Sequence, residues 1–245
     1  MNSKKGFTLA EVLITLGIIG IVAALTLPSL IQKHQKQVWV NQLKKSVAVW
    51  ENGMKMMLAD AETDDLTNTE FWQYLLQSSD REYACTTGDP HTTENNILKK
   101  YFKILNIQDT YKEDESICSF GDHPKAYVQL NGEPFGCQNC GAVSIHMTDG
   151  TLFGLLATYE FADGTVGTLD IDVNGENKGP NQWGRDTFTF HIYKNGTLKS
   201  DYWVTYEDLK EHPYECGNIE TGDISDAIGV FCAVRIIHEG WKMNY

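Results

Sequence analysis

Apolar residues run almost unbroken from Phe7 to Ile31 (FTLAEVLITLGIIGIVAALTLPSLI), and Glu11 is the only ionisable side chain among them. As a helix this stretch measures about 37 Å at 1.5 Å per residue, enough to cross a bilayer core of ~30 Å with some tilt. Beyond Pro28 the pattern changes from apolar all round to apolar on one side. Leu30, Ile31, His34, Val38, Leu43, Val47, Trp50, Met54, Met57 and Leu58 recur at mostly three- and four-residue intervals, with Lys, Gln and Asn between them. That spacing predicts an amphipathic helix continuing to about Asp60. Its apolar stripe needs a cover, most simply the chain's own globular part. Pro28 lacks an N–H and crowds the preceding turn, so a kink or a melted turn is expected there.

Residues 60–70 are acidic and break the period, which places the entry to a globular domain there. Phe71, Trp72, Tyr74, Leu75 and Leu76 predict a short packed helix, and residues 96–102 another, whereas 78–93 and 106–125 read as loops. From about residue 126 the period becomes two. Val143, Ile145 and Met147 alternate with polar residues up to Asp149-Gly150; Leu169, Ile171 and Val173 do so up to Asn174-Gly175; Phe188, Phe190 and Ile192 do so up to Asn195-Gly196. Asp-Gly and Asn-Gly between alternating runs predict hairpins. Residues 223–238 have helical spacing, although their Val, Ile and Phe content leaves a strand open. The expected class is α+β: a long N-terminal helix packed on an antiparallel sheet.

Immediately before the apolar run stand Lys4-Lys5-Gly6, followed by Phe7-Thr8-Leu9-Ala10-Glu11. A Lys-Gly-Phe-Thr-Leu-x-Glu stretch leading into an apolar helix resembles the prepilin signal shared by type IV pilins and type II secretion pseudopilins. The resemblance is specific for residues 1–31 and only topological beyond. It implies a leader of residues 1–6, cut by a prepilin peptidase after Gly6, with methylation of the new N-terminus at Phe7. It also implies a transmembrane and assembly helix at 7–31, an amphipathic continuation at 32–60 and an extracytoplasmic domain at 61–245, in which the helix crosses a four- or five-stranded sheet. The implied partners are the peptidase, an inner-membrane assembly platform, the membrane, and copies of itself or other pilins. The implied location is the bacterial inner membrane, then a periplasmic or cell-surface filament. A carboxylate inside a span is expensive and usually functional. In this family the acid five residues into the mature chain, here Glu11, neutralises the N-terminal amine of a neighbouring subunit. A residue that merely snorkels to the interface is the plainer reading.

The formal charge is −13, and loss of Lys4 and Lys5 with the leader makes it −15. So acidic a chain repels polyanions and offers no broad nucleic-acid-binding face. Six cysteines, at 85, 118, 137, 140, 216 and 232, all follow the apolar helix. In an exported domain they read as up to three disulfides. The resemblance to pilins implies that Cys216 and Cys232 bound a C-terminal loop. Cys137 and Cys140 fit a redox pair, half a zinc site or a disulfide loop, with structural disulfides the reading that suits an oxidising compartment.

Asp170-x-Asp172-x-Asn174-Gly175 opens like a calcium loop. The twelfth position is Asn181 rather than Glu, so Asp186 would have to close the shell, with Glu176 lending its carbonyl. Some pseudopilins resemble this in a late calcium-dependent loop; the alternative is a hairpin with a tight Asn-Gly turn. No motif requires a cofactor, and Ca²⁺ is the one ion this loop invites. The chain contains no H-E-x-x-H, G-x-S-x-G, P-loop or dinucleotide fingerprint. A non-enzymatic filament subunit is therefore expected. Its rival is an anchored extracytoplasmic binding or enzymatic domain that never polymerises.

Overall fold

The computed structural model describes residues 8–73, 97–109, 127–135, 143–157, 161, 163–201 and 203–245. Gly6, Phe7, Cys85, Cys118, Cys137 and Cys140 lie outside the described residues. The chain divides into two units, Met1–Val38 and Trp39–Tyr245.

Helix α1 spans Leu9–Asp60 and ends where the apolar period predicts. It runs through Pro28 as helix, so the melted turn expected there does not form. Hydroxyls shore up the neighbouring turns: Thr26 Oγ1 donates to the Val22 carbonyl at 2.9 Å and Ser29 Oγ to the Thr26 carbonyl at 3.0 Å. A proline removes one backbone donor, whereas melting the turn would strand several polar groups in apolar surroundings. In the first unit Leu13, Ile14, Ile18, Ile19 and Ile21 are exposed. By length and composition α1 is apolar enough to cross a membrane.

In the second unit the same helix is one-sided, burying Trp39, Val40, Leu43, Trp50, Met54, Met57 and Leu58. These side chains share one core with the six-stranded antiparallel sheet, whose strands lie in chain order. The strands are β1 (Ile104–Asp109), β2 (Val143–Met147), β3 (Leu152–Ala157), β4 (Thr165–Asp172), β5 (Thr187–Tyr193) and β6 (Leu198–Lys199). Register sorts the sheet into two faces. Ile107, Ile145, Phe153, Ile171 and Phe188 form one cross-strand row, and Leu155, Leu169 and Phe190 the next. This face packs on α1, where Trp50 meets Phe153 edge-on at 5.6 Å. The other face is polar, with rows Ser144–Gly154–Asp170–Thr189 and His146–Leu152–Asp172–Thr187. Glu51 of α1 reaches the free end of the sheet and accepts the Leu198 N–H at 3.2 Å.

Four expectations need correction. Ile104–Asp109 is a strand rather than the start of a loop, and the sheet has six strands rather than four or five. A register shift between Ile104 and Asn106 buries both Ile104 and Ile107, which hides the two-residue period. The Asn174-Gly175 pair is not a tight hairpin turn, because the β4–β5 connection runs from Val173 to Asp186. Only the end of 223–238 is helical, as α3 (Cys232–His238); α2 (Tyr206–Glu211) precedes it, capped by a Thr205–Asp208 box. The described parts of the two short segments, 70–73 and 97–101, are helical as expected.

Gly53 marks the tightest approach to α1. The position where a Cβ would stand is filled by the ring of Phe102, which stacks on Trp50 at 5.6 Å. Gly53→Ala gains about 1 kcal/mol of helix propensity but overpacks this contact by about 1–3 kcal/mol. Thermal unfolding of the detergent-solubilised chain is expected to show a lower Tm, and Phe102→Leu should recover part of the loss in the double variant. A Tm at or above wild type for Gly53→Ala alone would show that the ring yields freely.

Candidate functional site

Thr8 and Glu11 close the N-terminal end of α1 on each other. The Thr8 N–H and hydroxyl each donate to Glu11 Oε2 at 2.8 Å, and the Glu11 N–H donates to Thr8 Oγ1 at 3.2 Å. This is a reciprocal capping box, which satisfies backbone donors that the first turn leaves without partners. The carboxylate also sits at the positive end of the helix dipole. Its signal, Thr-x-x-Glu, is plain in the sequence and was read there only as part of the longer motif.

The Asp170 loop is closed upon itself. Thr189 Oγ1 donates to Asp170 Oδ1 at 2.7 Å across the β4–β5 pair. Asp172 Oδ1 accepts the N–H groups of Asn174 and Gly175 at 3.1 and 2.8 Å, and Oδ2 accepts the Tyr127 hydroxyl at 2.7 Å. Asp186 accepts the N–H groups of Asn181 and Gln182 at 3.0 and 2.7 Å. The Glu176 carbonyl receives the Asn181 side-chain amide at 2.8 Å, and Asn174 Nδ2 donates to the Gly179 carbonyl at 2.9 Å. Gly175 has φ +82°, and a Cβ there would collide with the Gly150 carbonyl oxygen. The residues offered as calcium ligands are thus gathered in one turn, but the oxygens of Asp172 and Asp186 face N–H and O–H donors, the wrong polarity for a cation's surroundings. Among the described residues no group of three or more Asp, Glu, His or Cys side chains is placed to hold a metal. In this arrangement the donor set does not fit Ca²⁺. Burial raises the Asp172 carboxyl, and burial together with the Asp172 charge pushes Asp186 up to about 7. On the same sheet face, burial lowers His191 to about 4.

Residues 1–27 match a family model described as the prokaryotic N-terminal methylation motif. The chain carries a prepilin-type signal. No curated protein and no solved structure matches the chain. The prepilin-type signal covers the segment that holds Gly6, Phe7 and Glu11, and its apolar helix fits membrane anchoring of the precursor.

At the far end of this prepilin-type chain, Cys216 and Cys232 form a disulfide across 16 positions, with a Cα–Cα distance of 5.0 Å. The bond joins the loop to the first residue of α3. Against this loop lies Arg235, a residue the sequence reading passed over. It is 1 % exposed; Nε donates to Glu239 Oε1 at 2.9 Å, and one terminal nitrogen reaches the carbonyls of Cys216, Gly217 and Asn218 at 3.1–3.4 Å. Tyr245 lies under the guanidinium at 5.1 Å, and its hydroxyl donates to the Gly184 carbonyl at 2.6 Å. The Arg-x-x-x-Glu spacing on a short apolar helix was the available clue.

Two measurements examine these arrangements. Asp186 holds a proton in the folded state up to about 7 that the unfolded chain releases near 3.8, so its contribution to stability falls as pH rises through that window. His191 refuses, down to about 4, a proton that the unfolded chain takes up near 6.5, so its contribution falls as pH drops through the same window. The two contributions oppose, so each is read as a change of slope against wild type between about pH 4 and 6.5. Relative to wild type, His191→Gln should make stability fall more steeply as pH rises, Asp186→Asn should make it fall less steeply, and the wild-type Tm should coincide in millimolar Ca²⁺ and in chelator. A Tm raised by Ca²⁺ and lost in Asp172→Ala would reinstate the cation reading.

The C-terminal loop has two fasteners, the Cys216–Cys232 disulfide and Arg235. Removing the disulfide (Cys216→Ala with Cys232→Ala) should cost about 3 kcal/mol, from loop entropy alone. Arg235→Met removes a buried cation from Glu239, which keeps Asn244 and Tyr206 as donors, and from the Cys216 and Gly217 carbonyls, and should cost about 3–5 kcal/mol, with Arg235→Lys recovering only part. Because both act on one loop, the combined loss should differ from the sum. Denaturant unfolding with and without reductant reads all three; strict additivity would show that they hold separate regions.

Proposed function

We propose that this chain is a structural subunit of a helical filament, of the type IV pilus or type II secretion pseudopilus kind, and that it performs no catalysis of its own. The observation that carries the reading is continuity. The prepilin-type signal at residues 1–27 leads without a break into a 52-residue helix whose second part belongs to the core of the globular unit. A plain membrane tether needs neither the signal's acid nor a helix built into the head. In this reading the peptidase cuts after Gly6 and methylates Phe7. The helix stores the subunit in the inner membrane, and an assembly platform draws subunits out to pack helix against helix in a periplasmic or surface filament. Glu11 then pairs with the ammonium of a neighbour's Phe7. Each charge is costly away from water, and pairing removes much of that cost.

The capping box supplies a sharper test of Glu11 than simple removal. Glu11→Gln keeps an oxygen that can accept the Thr8 N–H, and so keeps the cap, but carries no charge. Glu11→Leu loses both. If the carboxylate pairs with a neighbour's amine, both variants should insert and be processed normally, yet both should yield at least tenfold less filament as sole subunit. Filament yield is read by shearing and electron microscopy, and processing by intact mass. Wild-type yield from Glu11→Gln with loss only in Glu11→Leu would reduce Glu11 to a helix cap. A mature mass that still includes Met1 in a host containing the peptidase would refute the proposed processing.

A further inference from the structure

From Val12 to Ala59 the exposed charged residues of α1 are all lysines. Residues 12–50 contain no Asp or Glu and four lysines, Lys33, Lys36, Lys44 and Lys45. Lys33, Lys44 and Lys55 are spaced at 11 positions. Lys44 and Lys55, both in the second unit, are thus nearly three whole turns apart, on one side of the helix with ~20° of drift and about 16 Å between them. All three lysines are exposed, as are Asn41, Lys45, Ala48 and Asn52, while Trp39, Leu43, Trp50, Met54 and Met57 are buried. The one acid between Val12 and Lys55 is Glu51, which is engaged with the Leu198 N–H.

The opposite charge is concentrated near the C-terminus. Between Ser200 and Val234 eight carboxylates stand against one cation, Lys210. Glu211, Glu220, Asp223 and Asp226 are exposed. Arg235, the next cation along, is buried and committed to Glu239 and the loop carbonyls. Ion pairs among the described residues include Lys45 with Asp149, Lys100 with Asp60, Lys194 with Asp65, Lys210 with Glu207 and Arg235 with Glu239. None of these links the α1 stripe to the acidic loop.

We propose that the basic stripe of α1 in the second unit, Lys44 and Lys55, receives the acidic C-terminal loop of a second copy of this chain through Glu220, Asp223 and Asp226. The inference rests on the filament reading and names a contact for it. Complementary surfaces of this kind set register and suppress wrong pairings more than they add affinity. One chain carries both halves at different places, so the contact is head-to-tail and propagates instead of closing. Exposed ion pairs are weak singly, so the arrangement acts by repetition along the assembly and should be sensitive to salt.

The test uses the full chain in assembling membranes. Asp223 is spared because it accepts the Ser225 N–H. Lys44→Glu with Lys55→Glu should lower filament yield at least tenfold, and so should Glu220→Lys with Asp226→Lys. All four changes in one chain should restore at least a third of the wild-type yield. A photo-crosslinking residue in place of Lys55 should capture residues 218–226 of another copy, and raised salt should weaken that capture. Unchanged yield in either double variant, no recovery in the quadruple variant, or capture of phospholipid or a different protein would overturn this contact and leave the filament reading standing. Absence of filaments from the wild-type chain under assembly conditions would overturn both.

Discussion

The burial of Trp50 between the helix and the sheet is the contact on which the second unit depends. The indole stacks on Phe102 and meets Phe153 edge-on, so one side chain joins α1, the segment before β1, and β3. Around it Leu43, Met54 and Met57 repeat at helical spacing against a sheet face whose apolar rows repeat at spacing two. Two different periods meet along one plane, and aromatic residues of large area fill the mismatch. Burying each such side chain is worth about 1.5–3 kcal/mol. The helix is therefore stabilised by tertiary contact over its second part, whereas apolar surroundings suit its first.

The polar face of the sheet follows a different logic. Asp172, Asp186 and Tyr127 are buried, and their bonds run to backbone N–H groups of Asn174, Gly175, Asn181 and Gln182 or to one another. Carboxylates here replace the regular ladder that a long connection cannot form for itself, in keeping with the need to satisfy buried backbone groups. Arg235 does the converse at the C-terminal loop, supplying donors to three carbonyls. Two irregular connections are each fixed by a buried side chain of the hydrogen-bonding polarity that its backbone requires.

What could be read in advance follows from how local the signal is. The extent of α1 was legible to the residue at its C-terminal end, because a 3.6-residue period over many turns is hard to imitate. Asp149-Gly150 and Asn195-Gly196 gave true hairpins, since the residues before each continue directly into paired strands. Asn174-Gly175 did not, because Asp172 captures the following N–H groups and diverts the chain into a longer loop. β1 was missed where a bulge breaks the alternation at Ile104–Asn106. At the candidate site the residues were found but their polarity was not. Asp172 and Asp186 look like metal ligands in one dimension and accept hydrogen bonds in three. Arg235 left one trace in the sequence, the spacing to Glu239, because its loop partners are backbone carbonyls.

Under the proposed function, Glu11 has to satisfy two environments in turn. In the stored subunit a carboxylate near the end of an apolar helix needs donors, and Thr8 supplies them from the same chain. That local cap lowers the cost of carrying the acid without committing it to any distant group. Both Thr8 donors converge on a single oxygen, Oε2, so an incoming ammonium has another oxygen of the same carboxylate to approach. The cap need not be broken before the intermolecular pair forms. A residue buried in a fixed ion pair within its own subunit would lack this freedom, since exchanging partners would first expose an unpaired charge. The short box of Thr8 and Glu11 is thus compatible with storage and with assembly, and it reconciles the bland reading of Glu11 as a helix cap with the functional one.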